Sequence, residues 1–281
     1  MKCCGCAICH NFDRILPFLL CLLLTLLTFS EARSQESPLT PLLGTWQVKG
    51  VRLDVTLSST PNYNYDDPRL IGRLITITPE EIRADTPEDT ICTLPIAKLE
   101  TSTIGTLVSG TMSRGKKRSE KEISNKFELP VGGEKEIQVW WVGCKDGDMG
   151  PDTPFGPEGL NWVTMVAKDQ LAIRWYDNTI LLLNRLPPNP KPQPSFQCER
   201  SKKPAEKEIC SSLSLSELDQ SVSRLFSVIA KERREHGELQ QLKKLQSAQK
   251  GWINKRNKCA RDVNCLKNSM QERLEELAPK Y

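Results

Sequence analysis

The residues of this chain best placed to do chemistry are six cysteines: Cys92, Cys144, Cys198, Cys210, Cys259 and Cys265. The other five, Cys3, Cys4, Cys6, Cys9 and Cys21, fall in residues 1–34, which read as an export segment. An even number of cysteines in an exported chain reads as disulfide cross-links, not as nucleophiles or metal ligands. Two precede a proline-rich stretch and four follow it, so each part can close its own bridges. The expected pairing is Cys92–Cys144, Cys198–Cys210 and Cys259–Cys265. The alternative joins Cys210 to Cys259 or Cys265, because two antiparallel helices of similar length would bring those positions to one end.

Equipment for turnover is scarce. His236 is the one histidine beyond the export segment. It stands beside Gly237 at the expected end of a helix, where a cation reads as a dipole and cap residue. No glycine-rich phosphate loop appears. Asp146, Asp148 and Asp152 offer oxygen ligands at near-alternating positions, but the spacing of a calcium loop is not met, and the segment reads as a polar turn. Glu80-Glu81 and Glu88-Asp89 are carboxylate pairs of the type used in glycoside hydrolysis, yet nothing in the sequence sets them across a cleft. Thr78-Pro79-Glu80-Glu81 reads as a loop. No catalytic residue, metal or cofactor is expected, and the chain is read as a non-enzyme.

The elements that must position the cysteines fall into three parts. Lys2 and Arg14 flank the start of an apolar run from Ile15 to Phe29, and Ser30-Glu31-Ala32 or Ala32-Arg33-Ser34 supplies small residues for cleavage. The run is about 15 residues, short of the ~20 that span a bilayer. Residues 1–34 are therefore expected to be a cleaved signal, with the mature protein periplasmic or secreted. Leu186 to Pro194 carries five prolines, which favour an extended spacer over helix or strand. It divides a strand-rich domain, 40–186, from a helical one, 195–281. The expected fold is two-domain α+β: an antiparallel β-barrel followed by a small disulfide-bonded helical bundle.

Strand signals run over Leu43–Leu57, Leu70–Thr78, Glu136–Val142, Trp162–Ala167, Leu171–Trp175 and Thr179–Leu186, with Asp169-Gln170 and Asp177-Asn178 as turns. Gly44-Thr45-Trp46 opens the first strand and Asn184-Arg185-Leu186 ends the last. This pairing is similar to the lipocalin-like pattern, which implies that Arg185 stacks on Trp46 and closes one barrel end. A barrel of that kind can hold one small apolar ligand, with Trp140, Trp141, Trp162 and Trp175 as candidate lining.

After the prolines, Pro204 suits a first helical position and Ser214-Leu215-Ser216-Glu217 reads as a capping box. Leu218, Val222, Leu225 and Ile229 form one apolar stripe, Leu242, Leu245, Ala248 and Trp252 a second, and Leu266, Met270, Leu274 and Leu277 a third. Gly237 is placed to stop the first long helix. Residues 195–281 carry 18 Lys and Arg against 12 Asp and Glu, a net of +6, while residues 35–194 carry about −3. The cations alternate with Glu and lack interleaved aromatics, so they read as a solvated surface with no nucleic-acid partner. Membrane contact is expected only through the export segment.

Several local sequences lie in one order: Ser195-Phe196-Gln197-Cys198, Pro204 to Cys210, Leu218-Asp219, Gln249-Lys250-Gly251-Trp252, Arg256-Asn257-Lys258-Cys259 and Asn264-Cys265-Leu266. Together they resemble the cysteine-containing helical module of the LprI-like family, over roughly the last 80 residues. Lys203 departs from that pattern, where a small hydroxyl residue usually caps the helix. The resemblance implies binding and inhibition of a lysozyme-type peptidoglycan hydrolase; Glu199–Lys203 and Ala260–Asn264 are the candidate contact segments, because the expected bridges would stiffen them. The alternative function is a lipocalin-like small-ligand binder or an envelope interaction protein.

Overall fold

A strand alternates its side chains between two faces, and here both faces of part of one sheet are buried. The computed structural model describes residues 37–54, 62–112, 119–151 and 161–278. The expected export segment and Asp152 lie outside the described residues. The strands are β1 (Gly44–Leu53), β2 (Leu74–Ile77), β3 (Glu81–Ala84), β4 (Ile91–Thr103), β5 (Glu136–Gly147), β6 (Asn161–Ala167), β7 (Gln170–Trp175) and β8 (Thr179–Arg185). Each pairs antiparallel with the next, and β1 also pairs with β8, so the ladder closes on itself. Turn chemistry supports this order. Asp177 and Asn178, between β7 and β8, both have positive φ, 56° and 55°, as a two-residue hairpin turn requires.

The inner face gathers Trp46, Val48, Val51, Ile75, Trp140, Val142, Ile173, Trp175 and Leu181 into one buried cluster. The outer face of β5 to β8 carries a second, with Val139, Trp141, Trp162, Ala172 and Ile180. Two short helices cover it: α1 (Ile104–Thr111) and α2 (Glu120–Lys126). The sequence reading has only strands before the prolines, so these helices are a correction. Thr103 caps α1 by accepting from the Thr106 N–H, and Ser119 caps α2 by accepting from Glu122. Burial of Ile104, Leu107, Val108 and Phe127 against the tryptophans outweighs the poor helix propensity of Thr, Val and Gly. β3 and β4 also escape the sequence signals. β3 has four residues, and Pro95 sits inside β4.

Four helices follow: α3 (Pro204–Ser211), α4 (Leu213–Glu235), α5 (Leu239–Arg256) and α6 (Val263–Leu277). They bury Ile209, Leu215, Leu218, Val222, Leu266, Met270 and Leu274 together. Pro204 opens α3. Lys203 has no side-chain acceptor to offer there, but its N–H donates to the Glu206 carboxylate at 3.3 Å. Gly237, φ 71°, follows the end of α4. The α4 cap differs from the one read in the sequence. Ser212, not Ser214, accepts from the Leu215 N–H. Ser214 instead donates to Asp85 on the sheet side.

That bond is one of several joining helices to sheet, and residues from Pro38 onward cluster as one unit. Arg73 is fully buried, and its Nη2 donates to Ser221 Oγ of α4 at 3.1 Å. The Ser221 hydroxyl faces the Ile71 and Glu217 carbonyls, each at 2.9 Å. Burial lowers the Arg73 pKa, while Asp85 and Glu217 pull it back up. Gly72 lies beside this contact with φ +86°, a conformation that favours glycine, and a Cβ there would stand 3.0 Å from the tip of the Glu217 side chain. Arg69–Glu275 at 3.2 Å and Lys267–Asp89 at 2.7 Å are ion pairs at the rim.

Ser221→Val removes the partner of a buried guanidinium and should cost about 3 kcal/mol. Denaturant unfolding of the variant measures this directly, and stability equal to wild type would show that the serine does not hold α4 to the sheet.

Candidate functional site

The helical part is organised by one buried ion pair. Asp219 follows Leu218 on the inward face of α4, and Arg256 ends α5. Their side chains are 5% and 4% exposed, with Arg256 Nη1 donating to Asp219 Oδ1 at 2.7 Å. The other carboxylate oxygen accepts the Ser195 N–H at 2.7 Å, which pins the chain leaving the prolines onto α4. Arg256 also donates to Asn257 Oδ1 and stands 5.2 Å from the Trp252 ring centre. Trp252 Nε1 donates to the Ser269 carbonyl of α6 at 3.1 Å. Ser195, Asp219, Trp252, Arg256 and Asn257, scattered through the sequence, therefore meet in one place. A cleft of about 340 Å³ opens beside them, lined by Phe196, Val222, Phe226, Trp252 and Ile253 among others.

Two cross-linked loops flank this centre. Cys198–Cys210 ties the turn 198–200 to α3, and Cys259–Cys265 ties the turn 257–259 to the first residues of α6. α3 packs against the 257–259 turn, so the bridged segments are neighbours. Ala260 has a positive φ, 53°, with ψ −113°, which a residue with a Cβ adopts only when its surroundings hold it there. Asp262 caps α6 by accepting the Cys265 N–H at 2.9 Å. Between them Arg261 is exposed, and among the described residues it makes no ion pair. The third bridge, Cys92–Cys144, joins β4 to β5.

The Arg185 guanidinium lies 4.0 Å from the Trp46 ring centre, on the strand pair that closes the sheet. Its nitrogens also donate to Asp169 at 3.1 Å, to the Pro41 carbonyl at 2.7 Å and to the Leu43 carbonyl. Trp46 Nε1 donates to the Leu42 carbonyl at 2.8 Å. This constellation holds structure, with its donors turned to neighbours.

Other sequence candidates come apart. Trp140 and Trp175 point inward, whereas Trp141 and Trp162 sit on the outer face beneath α1. Adjacent strand residues face opposite ways, so the four cannot line one pocket. Glu88 accepts from the Tyr63 hydroxyl and from Trp175 Nε1 at 3.2 Å. Burial first, and then the Glu88 charge, hold the Tyr63 phenol well above its ordinary pKa. Asp89 is engaged by Lys267, and Glu81 by Arg83 at 2.9 Å. Asp146 belongs to β5 and not to a turn, and Asp148 accepts from the Tyr176 hydroxyl at 3.2 Å. Among the described residues no three His, Cys, Asp or Glu converge on a metal position. His236 is exposed at the end of α4.

No protein-family model, curated protein or solved structure matches this chain.

Removing one member of a buried ion pair leaves the other charge without a partner, at about 3–5 kcal/mol. Asp219→Ala should lose that much on urea unfolding. Asp219→Ala combined with Arg256→Met should recover part of it. A single variant as stable as the parent would remove the pair from its central role.

Proposed function

We propose that this is an exported, non-catalytic protein that binds and inhibits a lysozyme-type peptidoglycan hydrolase. Three cysteine pairs at bonding distance suit an oxidising compartment outside the cytosol. Among the described residues no helix is long and apolar enough to cross a membrane. In this reading the closed sheet with its Trp46–Arg185 stack is a lipocalin-like barrel. Its inner face is filled by Trp46, Trp140, Trp175 and aliphatic side chains, which favours a scaffold over a ligand carrier.

The observation that carries the proposal is the Ala260–Asp262 loop. Glycoside hydrolases hold two carboxylates across a cleft, and a single cation on a narrow, stiff projection complements them. Arg261 is an exposed cation between the bridge Cys259–Cys265 and the cap of α6. A loop already held in shape loses little entropy on binding. The LprI-like resemblance, which spans this loop, points to the same activity. The acidic sheet part would steer the protein toward a basic target enzyme.

The test is clearing of a cell-wall suspension by lysozymes of several classes, with and without the purified mature protein. Inhibition is expected at micromolar excess, with the inhibitor recovered intact. Arg261→Ala should weaken it tenfold or more, as replacement of a central contact residue does at about 2 kcal/mol. Full lysis at every concentration would end this reading.

A further inference from the structure

The bundle's positive charge is not evenly spread. Residues 239–261 contain seven Lys and Arg and no Asp or Glu. The sequence reading treats these cations as alternating with Glu across a solvated surface, and for this segment that is incorrect. Arg256 is turned inward to Asp219. Lys243, Lys244, Lys250 and Lys255 of α5 are all exposed, and none makes an ion pair among the described residues. At 3.6 residues per turn, the intervals 243–250 and 244–255 are close to two and three turns, so the four lysines share one side of the helix over about 18 Å. Acids just before α5 in the chain are already engaged, while Glu272 and Glu276 of α6 line a shallow pocket with Lys255 at the edge of the face. Glu235 pairs with Lys231 and Glu238 with Arg233 at the α4–α5 turn. Leu239, 59% exposed, lies one turn before Lys243 on the edge of the same face.

We infer that this face of α5 docks on an anionic phospholipid surface. Charge complementarity alone would admit any polyanion, but three features select a lipid surface. The cations are lysines, compact point charges suited to a diffuse field, whereas arginines would suit shaped, two-pronged phosphate recognition. The aromatic of α5, Trp252, is turned inward to Arg256 and Ser269, so no stacking platform for bases faces out. Exposed Leu239 at the rim supplies an apolar side chain able to enter the headgroup layer. The attraction is independent of Arg261 and of hydrolase inhibition.

The test is co-sedimentation of the mature chain, residue 35 onward, with phosphatidylcholine vesicles containing or lacking phosphatidylglycerol. Binding is expected only with phosphatidylglycerol, and it should weaken as salt screens the charges. A lysine near such a surface contributes about fivefold in partitioning. Replacing Lys243, Lys244, Lys250 and Lys255 together by Gln should therefore lower it by about 100-fold or more. Replacing the exposed Lys145, Lys168, Lys191 and Lys207 by Gln removes equal charge elsewhere and should change binding by no more than about twofold. Circular dichroism confirms that both variants are folded. No sedimentation at low salt, or equal loss in the two variants, would overturn the proposal. So would tighter retention by single-stranded nucleic acid or a polyphosphate chain than by the vesicles.

Discussion

The helical part of this protein depends on a carboxylate that serves three pieces of chain at once. Asp219 holds the end of α5 through Arg256, holds the chain leaving the prolines through the Ser195 N–H, and belongs to α4 itself. Buried charges are costly unless their partners are well placed, and here both oxygens have one. Trp252 completes the arrangement by standing beside Arg256 and donating to α6. A bundle this small buries limited apolar surface. The ion pair fixes which way α5 enters and where the chain begins, while two short-range bridges fasten the turns around it. The exposed Ala260–Asp262 loop lies between such fastenings.

The sheet solves a different problem. Closing β1 against β8 removes the edges that an open sheet would expose, and the Arg185–Trp46 stack lies on that closing pair. Burying the outer face of β5 to β8 under α1 and α2 gives these strands a core on each side. Their near-continuous apolar sequences follow from that. The helical part then packs onto the sheet beside Gly72, whose positive φ turns the chain there.

Much of this was legible in the sequence, and the failures have physical causes. Strands with clean alternation or β-branched runs, such as β6 to β8, announce themselves. So do the stripes of α4 and α6, because burial repeats at the helical period. The Trp46–Arg185 stack was legible because its residues sit at the two ends of the sheet. Short β3, and β4 with its internal proline, gave no such signal. α1 is made of residues that prefer strands and exists because the tryptophans of the outer face need covering. Asp219, Trp252 and Arg256 stood out as residues, yet nothing in their spacing said that Arg256 would find Asp219. The Arg73–Ser221 contact joins positions 148 residues apart and has no local signature at all. Arg261 could be placed in a stiffened loop from the cysteines alone, but its exposure could not.

One feature of the bridges bears on how the molecule is made. Among the described residues each cysteine pairs with the next one along the chain, at separations of 52, 12 and 6 residues, with no bridge crossing another. Among these six, in a chain oxidised as it emerges, N-terminus first, each cysteine meets its correct partner before a wrong one of the six is free. Cys210 is already closed onto Cys198 when Cys259 appears, and Cys265 follows Cys259 within two helical turns of chain. Vectorial synthesis can thus select one pairing out of the 15 that six thiols allow, and little demand for disulfide reshuffling remains.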